Sequence, residues 1–224
     1  MDIKEAIIKR HSVRRYLDKE IEADIVNGLN SVISDVCVES GLDIKLVLNE
    51  PNAFTGFLAK YGKFENCKNY ITVCGKGGRE VDVGYYGEKI VIAAQMLGLN
   101  TCWVALTYKK GCVPVKAKDK EKFYITIAVG YGRNRGLPRK TKPMEKLCNV
   151  PINDMPEWFK NGMDFAMRAP TAINQQKFFI KLISAEDRIV SASSKIGPCS
   201  KIDLGIVKYH FEIGAGKESF KWKE

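Results

Sequence analysis

The chain has 224 residues, 45% hydrophobic and 28% charged. This composition excludes wholesale disorder, and a chain this long buries roughly 70% of its unfolded surface without a disulfide or metal staple. The formal net charge is +10, but the stretch 109–146 alone holds twelve Lys/Arg against three Asp/Glu.

The longest strongly apolar stretch, 90–99, is too short to span a bilayer. The N-terminus, MDIKEAIIKRHSVRRY, lacks the apolar core of a signal peptide. A cytoplasmic protein with no membrane partner is the expectation. Seven cysteines without a CxxC spacing, and two histidines, predict reduced thiols and no metal site.

In chain order, Asp2 and Glu5 form a D-x-x-E capping pattern that opens a helix ending around 9–11. Ile25, Leu29, Val32, Ile33 and Val36 share one face of a helix over 23–36. Short strands follow at 44–48 and 70–74, and Gly75, Gly77 and Gly78 then break the chain. The stretch 81–97 is apolar all round, which predicts a buried helix. Strands are expected at 101–106 and 123–129. A loop rich in Gly, Pro and basic residues follows, then a helix over 156–167, a strand over 178–183 and a helix over 203–213. Helices and strands alternate, so the class is α/β or α+β. Asp82-Val83-Gly84 and Asp203-Leu204-Gly205 open two of these helices. In each, the Asp is expected to cap the first turn and the Gly to permit close packing. Each such helix follows a helix-then-strand pair, which suggests two related halves, about 1–150 and 151–224, within a single domain.

Three segments together resemble the FMN-dependent nitroreductase family. Arg10-His11-Ser12-Val13-Arg14-Arg15-Tyr16 is similar to the R-x-S-x-R/K that ends the family's first helix. Gly98-Leu99-Asn100-Thr101-Cys102-Trp103-Val104 resembles its GLGTCWIG turn and strand. Arg168-Ala169-Pro170-Thr171-Ala172-Ile173-Asn174-Gln175-Gln176 resembles its A-P-S-x-x-N-x-Q-P-W segment, although Lys177-Phe178 replaces P-W. In most of the family this last segment follows helix 2. Here that place reads VCVESGLD, and the motif stands in the second half. Such an arrangement looks like the family's intertwined dimer fused into one chain, as in the subset called "putative TM nitroreductases". The resemblance implies an α+β fold with an antiparallel-dominated sheet flanked by helices and two pseudo-repeated halves. It also implies that one chain can carry a whole site as a monomer.

The resemblance further implies FMN as cofactor, NAD(P)H as co-substrate and a small electron-poor acceptor, a nitroaromatic or quinone, in a ping-pong cycle. No side chain is expected to be catalytic, because the flavin carries the chemistry. Arg10, His11 and Ser12 would hold the phosphate through charge-assisted donors, joined by Arg139 and Lys140 from the basic loop. Arg14 would face the ring edge that gains negative charge on reduction. Trp103 and the backbone of Val104, Ala105 and Leu106 would flank the other edge, and Pro170, Thr171, Ala172 and Asn174 would border the ring and ribityl chain. Two other readings stay open from the residues alone. One is a flavin-binding protein without turnover. The other is a nucleic-acid-binding protein using 109–146, although no nucleic-acid-binding signature is present.

Overall fold

The computed structural model describes residues 1–223. The chain divides into two compact units. One comprises Met1–Asp2, Lys9–Arg79 and Lys89–Pro138; the other comprises Ile3–Ile8, Glu80–Glu88 and the chain from Arg139 onward. The boundary near 138 differs from the halves read at 150, and the second unit also includes Ile3–Ile8 and Glu80–Glu88.

The first unit is built on a four-stranded sheet in the order β1-β2-β4-β3. Its strands are β1 (Asp43–Val47), β2 (Tyr70–Lys76), β3 (Asn100–Val104) and β4 (Glu121–Gly130). Every pairing is antiparallel. The β-branched and aromatic run in β4 suits the sheet interior, and Ile125, Ile127, Ala128 and Val129 are buried there. Helix α2 (Ala23–Ser40) packs on β1. It runs past the expected end at 36 because the turn closes only at Gly41, whose N–H reaches the Cys37 carbonyl. A short helix, α3 (Gly56–Tyr61), follows β1 and has no counterpart in the sequence reading. Phe57 and Tyr61 are exposed, so no apolar periodicity marks it. Nearby Phe54 centres an aromatic cluster, 5.0 Å from Phe64, 5.4 Å from Tyr70 and 5.9 Å from Tyr108 between ring centroids. Helix α4 (Glu80–Met96) begins in the second unit and ends in the first. Val83, Ile90, Val91, Ile92 and Ala94 are fully buried, in line with its all-round apolar character.

The second unit holds α1 (Ile3–Lys9) up to Ile8, the start of α4, α5 (Glu157–Ala166) and α6 (Ser200–Ala215). It also holds a three-stranded sheet of β5 (Phe178–Ser184), β6 (Ile189–Ser194) and β7 (Lys221–Trp222). The antiparallel β5–β6 pairing dominates, and β7 joins β6 in parallel. Strand β6 reads IVSASS, too polar to register as a strand from sequence. Glu212 ties both α4 and β7 to α6, accepting from Tyr85 Oη at 2.5 Å and Trp222 Nε1 at 2.7 Å.

Within this unit α4 and α6 meet at two glycines. A Cβ on Gly84 would lie 1.9 Å from the Ile202 carbonyl oxygen, and one on Gly205 would lie 1.9 Å from that of Val81. The contact is reciprocal, since each glycine meets the carbonyl three residues before the other. Close packing at both D-x-G motifs is therefore realised. The capping expected of Asp203 is not. Helix α6 starts at Ser200, its N-cap position is Cys199, and Asp203 lies inside the first turn with its carboxylate turned to another segment. Behind the crossing, His210 and Glu88 are both fully buried, with Nε2 2.9 Å from Oε1. His210 Nδ1 faces the Phe165 carbonyl at 3.2 Å. A carbonyl only accepts, so Nδ1 carries a proton.

Candidate functional site

In the first unit the R-x-S-x-R segment leaves α1 and runs extended. Val13 and Tyr16 are buried in it, and Arg14 and Arg15 are exposed. Three neighbours pin it. Val13 N–H donates to the Thr101 carbonyl at 3.0 Å, Glu65 N–H donates to the Arg14 carbonyl at 3.0 Å, and Leu17 N–H donates to the Tyr131 carbonyl at 2.8 Å. The buried Tyr16 hydroxyl donates to the Val13 carbonyl at 2.7 Å. The first two sequence motifs are thus joined directly, since Thr101 belongs to the G-L-N-T-C-W turn and strand.

The Cys102 thiol reports on the same gathering. Burial pushes its pKa up, while the positive fields of Arg14 and Arg10 and a hydrogen bond with Ser12 oppose that rise. Arg10, Ser12 and Arg14 therefore lie near one strand position. Arg10 is 7% exposed, so it is a buried cation rather than a solvated helix end. Arg15 turns away and pairs with Glu65 at 3.0 Å. Strand β3 is an edge strand that stops at Val104, where the buried Thr126 hydroxyl donates to the Val104 carbonyl at 3.0 Å. Ala105 and Leu106 lie beyond the strand, exposed, in a series of bends.

The basic loop divides between the units. Gly136 sits so close to the first motif that a Cβ there would lie 2.5 Å from His11 Cβ and 3.1 Å from the Ser12 carbonyl oxygen. The loop cations belonging to the first unit are Arg133 and Arg135. The Arg133 guanidinium lies 3.5 Å from Glu65, the carboxylate that also pairs with Arg15. Arg139 and Lys140 belong to the second unit, where the Arg139 guanidinium donates to the Met167 carbonyl at 2.6 Å.

There the A-P-T-x-x-N segment forms a strained loop. Ile173, Asn174 and Gln176 have φ of 47°, 56° and 46°. A β-branched residue in this left-handed region is an outlier, and Ile173 is also 88% exposed. Pro170 is buried, and Thr171, Ala172 and Asn174 are half-buried. Asn174 Nδ2 donates to the Lys140 carbonyl at 2.9 Å, and its Oδ1 accepts from Gln176 Nε2 at 3.0 Å. The Asn174 amide thus braces the loop at both ends. Gln176, 4% exposed, accepts from Lys142 N–H at 2.9 Å, and its own N–H donates to the Thr171 hydroxyl at 3.1 Å. The Asp203 carboxylate accepts from Ala172 N–H at 3.0 and 3.1 Å and from Gln175 Nε2 at 2.7 Å. Burial pushes its pKa up to about 6, against the opposing effects of those hydrogen bonds and of Arg139. Sequence reading singled out Asp203 but gave it the wrong partner. Its acceptor role needs a loop about thirty residues away in sequence, which no local pattern reveals.

The donor set of the first unit fits a phosphate-bearing flavin. Guanidinium groups and a serine hydroxyl suit a phosphomonoester, and the close approach of Gly136 brings a basic loop against them. Among the described residues no helix is long and apolar enough to cross a membrane.

Comparison with known proteins bears on the fold and the family. The family model "Putative TM nitroreductase" matches residues 2–215. A putative nitroreductase from Thermotoga maritima is 24% identical and superposes with a TM-score of 0.68 over 97% of this chain and 85% of that one. A putative nitroreductase from Desulfovibrio desulfuricans, solved in complex with FMN, is 17% identical with a TM-score of 0.52, covering 68% of this chain and 98% of its own. The NfrA1 nitroreductase of B. subtilis is 14% identical with a TM-score of 0.52, over 68% and 77%. At these identities the likeness is one of fold. No curated protein matches. With the mixed fold, the joined motifs and a family model spanning nearly its whole length, the chain belongs to the nitroreductase family.

Proposed function

We propose that the protein is an FMN-dependent oxidoreductase that takes hydride from NAD(P)H and passes electrons to a small electron-poor acceptor, a nitroaromatic or quinone. The observation that carries this reading is the convergence of Arg10, Ser12 and Arg14 on Cys102, with the first motif hydrogen-bonded to Thr101. FMN, when bound, supplies reversible two-electron chemistry. Arg10, Ser12 and the backbone at His11 bind its phosphate; for Arg139 and Lys140 the support is the resemblance alone. Arg14, exposed beside this group, orients the ring and favours negative charge on it. The backbone past Val104 offers N–H donors to the opposite edge. For Pro170, Thr171, Ala172 and Asn174 the support is the resemblance of 168–176 to the family segment. The reciprocal meeting of Gly84 and Gly205 supports the reading of two related halves.

The test is direct. FMN added to purified protein should shift and resolve the flavin absorbance bands at one FMN per chain, and the complex should oxidise NADH or NADPH with a quinone as acceptor. A protein that leaves the FMN spectrum unchanged would refute the proposal. A protein that binds FMN but turns over neither nucleotide would keep the flavin site and remove the enzyme.

A further inference from the structure

We propose that α3 and the segment after β3 form a platform for the adenosine end of the reductant, and that its lysines select NADPH over NADH through the 2′-phosphate. The choice of ligand rests on the function proposed above, which does not separate the two nucleotides. The platform lies wholly within the first unit.

The floor of this surface is tightly packed. Tyr108 is buried and stacks on Phe54, and Lys109 N–H donates to the Ala53 carbonyl at 2.7 Å. A Cβ on Gly56, the first residue of α3, would lie 2.9 Å from Lys109 Cε, and one on Gly62, just past its end, would lie 2.7 Å from Thr107 Cβ. The segment 107–109 therefore runs along both ends of α3, and the two make one surface. Its outer side is apolar and aromatic. Phe57 and Tyr61, four residues apart and so on one face of the helix, are 81% and 77% exposed, and Leu106 is 81% exposed. Tyr61 and Leu106 each precede a residue of the Gly62–Thr107 contact, so they border the same edge. Single exposed apolar residues need no explanation, but a group on one packed surface marks a binding site.

The charge around it is one-sided. No Asp or Glu occurs in 51–64 or in 97–118, whereas Lys60, Lys63, Lys109 and Lys110 do, and all four are exposed. The carboxylates flanking α3 are engaged elsewhere. Glu50 accepts from Asn52 N–H, Ala53 N–H and the Tyr70 hydroxyl, and Glu65 pairs with Arg15 and Arg133. The ammonium groups are thus left for a ligand. Flat rings among ammonium groups suit a planar base that carries a phosphate: the base stacks, and the phosphate takes charge-assisted donors. Helix α3 has six residues and is about 9 Å long, the scale of one nucleotide rather than of a polymer track. Position then selects the nucleotide. Leu106 stands two residues past Val104, where the backbone meets the flavin edge in the function proposed above. A dinucleotide with its nicotinamide on that ring lays its adenosine towards α3. Lys60 and Lys63 then meet the 2′-phosphate, which NADH lacks.

Two measurements on the full chain with saturating FMN test this. The first is the ratio of kcat/KM for NADPH to that for NADH. The parent should favour NADPH about tenfold, and the double variant Lys60→Gln, Lys63→Gln should lower the ratio about tenfold at an unchanged melting temperature. Tyr61→Ala should raise KM for both nucleotides, since both carry adenine. A parent with no preference for NADPH, or a ratio that the lysine variant leaves unmoved, would overturn the selection. The second is calorimetric binding of adenosine 2′,5′-bisphosphate and adenosine 5′-monophosphate, with FMN filling its own phosphate site. The bisphosphate should bind about tenfold more tightly, less so at high salt, and lose that advantage in the lysine variant. Equal affinities would overturn the platform, as would a single-stranded oligonucleotide that binds these lysines more tightly than the bisphosphate does. If the protein binds no FMN or oxidises neither dinucleotide, the proposed function fails, and the bisphosphate titration still decides the platform.

Discussion

Replacing Gly205 with alanine tests the crossing of α4 and α6. The new Cβ would sit 1.9 Å from the Val81 carbonyl oxygen and 2.6 Å from Tyr85 N. Both are backbone atoms of a facing helix, so no rotamer change relieves them. Ordinary contact begins near 3.4 Å, so the helices must separate by about 1.5 Å. Inserting a methyl group into a packed interior costs about 1–3 kcal/mol, and this clash belongs at or above the upper end. Helix propensity acts the other way, since Ala is favoured over Gly by about 1 kcal/mol. The net loss is about 2–3 kcal/mol, or roughly 4–12 °C in melting temperature for a chain of this size. Gly84→Ala should behave alike, its Cβ falling 1.9 Å from the Ile202 carbonyl oxygen. The double variant is the sharper assay. One separation of the helices relieves both clashes, so the two losses should fall short of additivity by about 1–3 kcal/mol. Urea melts of the four proteins measure this. Single variants as stable as the parent, or strictly additive losses, would refute the crossing.

Arg14→Glu should weaken FMN binding by on the order of 2–4 kcal/mol and lower the flavin potential, read by titration and spectroelectrochemistry; unchanged values remove Arg14 from the site. Glu88→Ala should cost about 3–5 kcal/mol in a denaturant melt because it strips the buried His210 of its partner. Glu88→Gln should cost less, since an amide can still donate to Nε2. Asn174→Asp should cost about 1–3 kcal/mol, because a carboxylate would then face the Lys140 carbonyl in place of a donor; a melt as high as the parent's would contradict the bracing role. The pH dependence of stability follows from Asp203. Its folded-state pKa is raised to about 6 from an ordinary value near 4, so the folded protein binds the proton more tightly than the unfolded chain. Its contribution is fully present below pH 4, falls by about 3 kcal/mol as pH rises from 4 to 6, and is flat above. Asp203→Asn should flatten that segment of the stability curve; an unchanged slope argues against a raised pKa.

What was legible in the sequence is what local chemistry writes into it. The β-branched and aromatic run at 123–129 gives β4, and the all-round apolar stretch 81–97 gives the buried α4, because burial on every side leaves no polar face to disguise it. The motifs at 10–16, 98–104 and 168–176 pointed to the family whose model matches residues 2–215. Tertiary structure decided the rest. Strand β6 exists because β5 offers it a hydrogen-bonding edge, not because IVSASS favours a strand. Gly136 folds against His11, and beyond Pro138 the chain passes into the other unit, which carries Arg139. Asp203 reads as a helix cap, yet its carboxylate is spent on Ala172 and Gln175. A carboxylate accepts from whichever donors the fold brings to it, and contacts about thirty residues apart in sequence are fixed by packing rather than by local pattern.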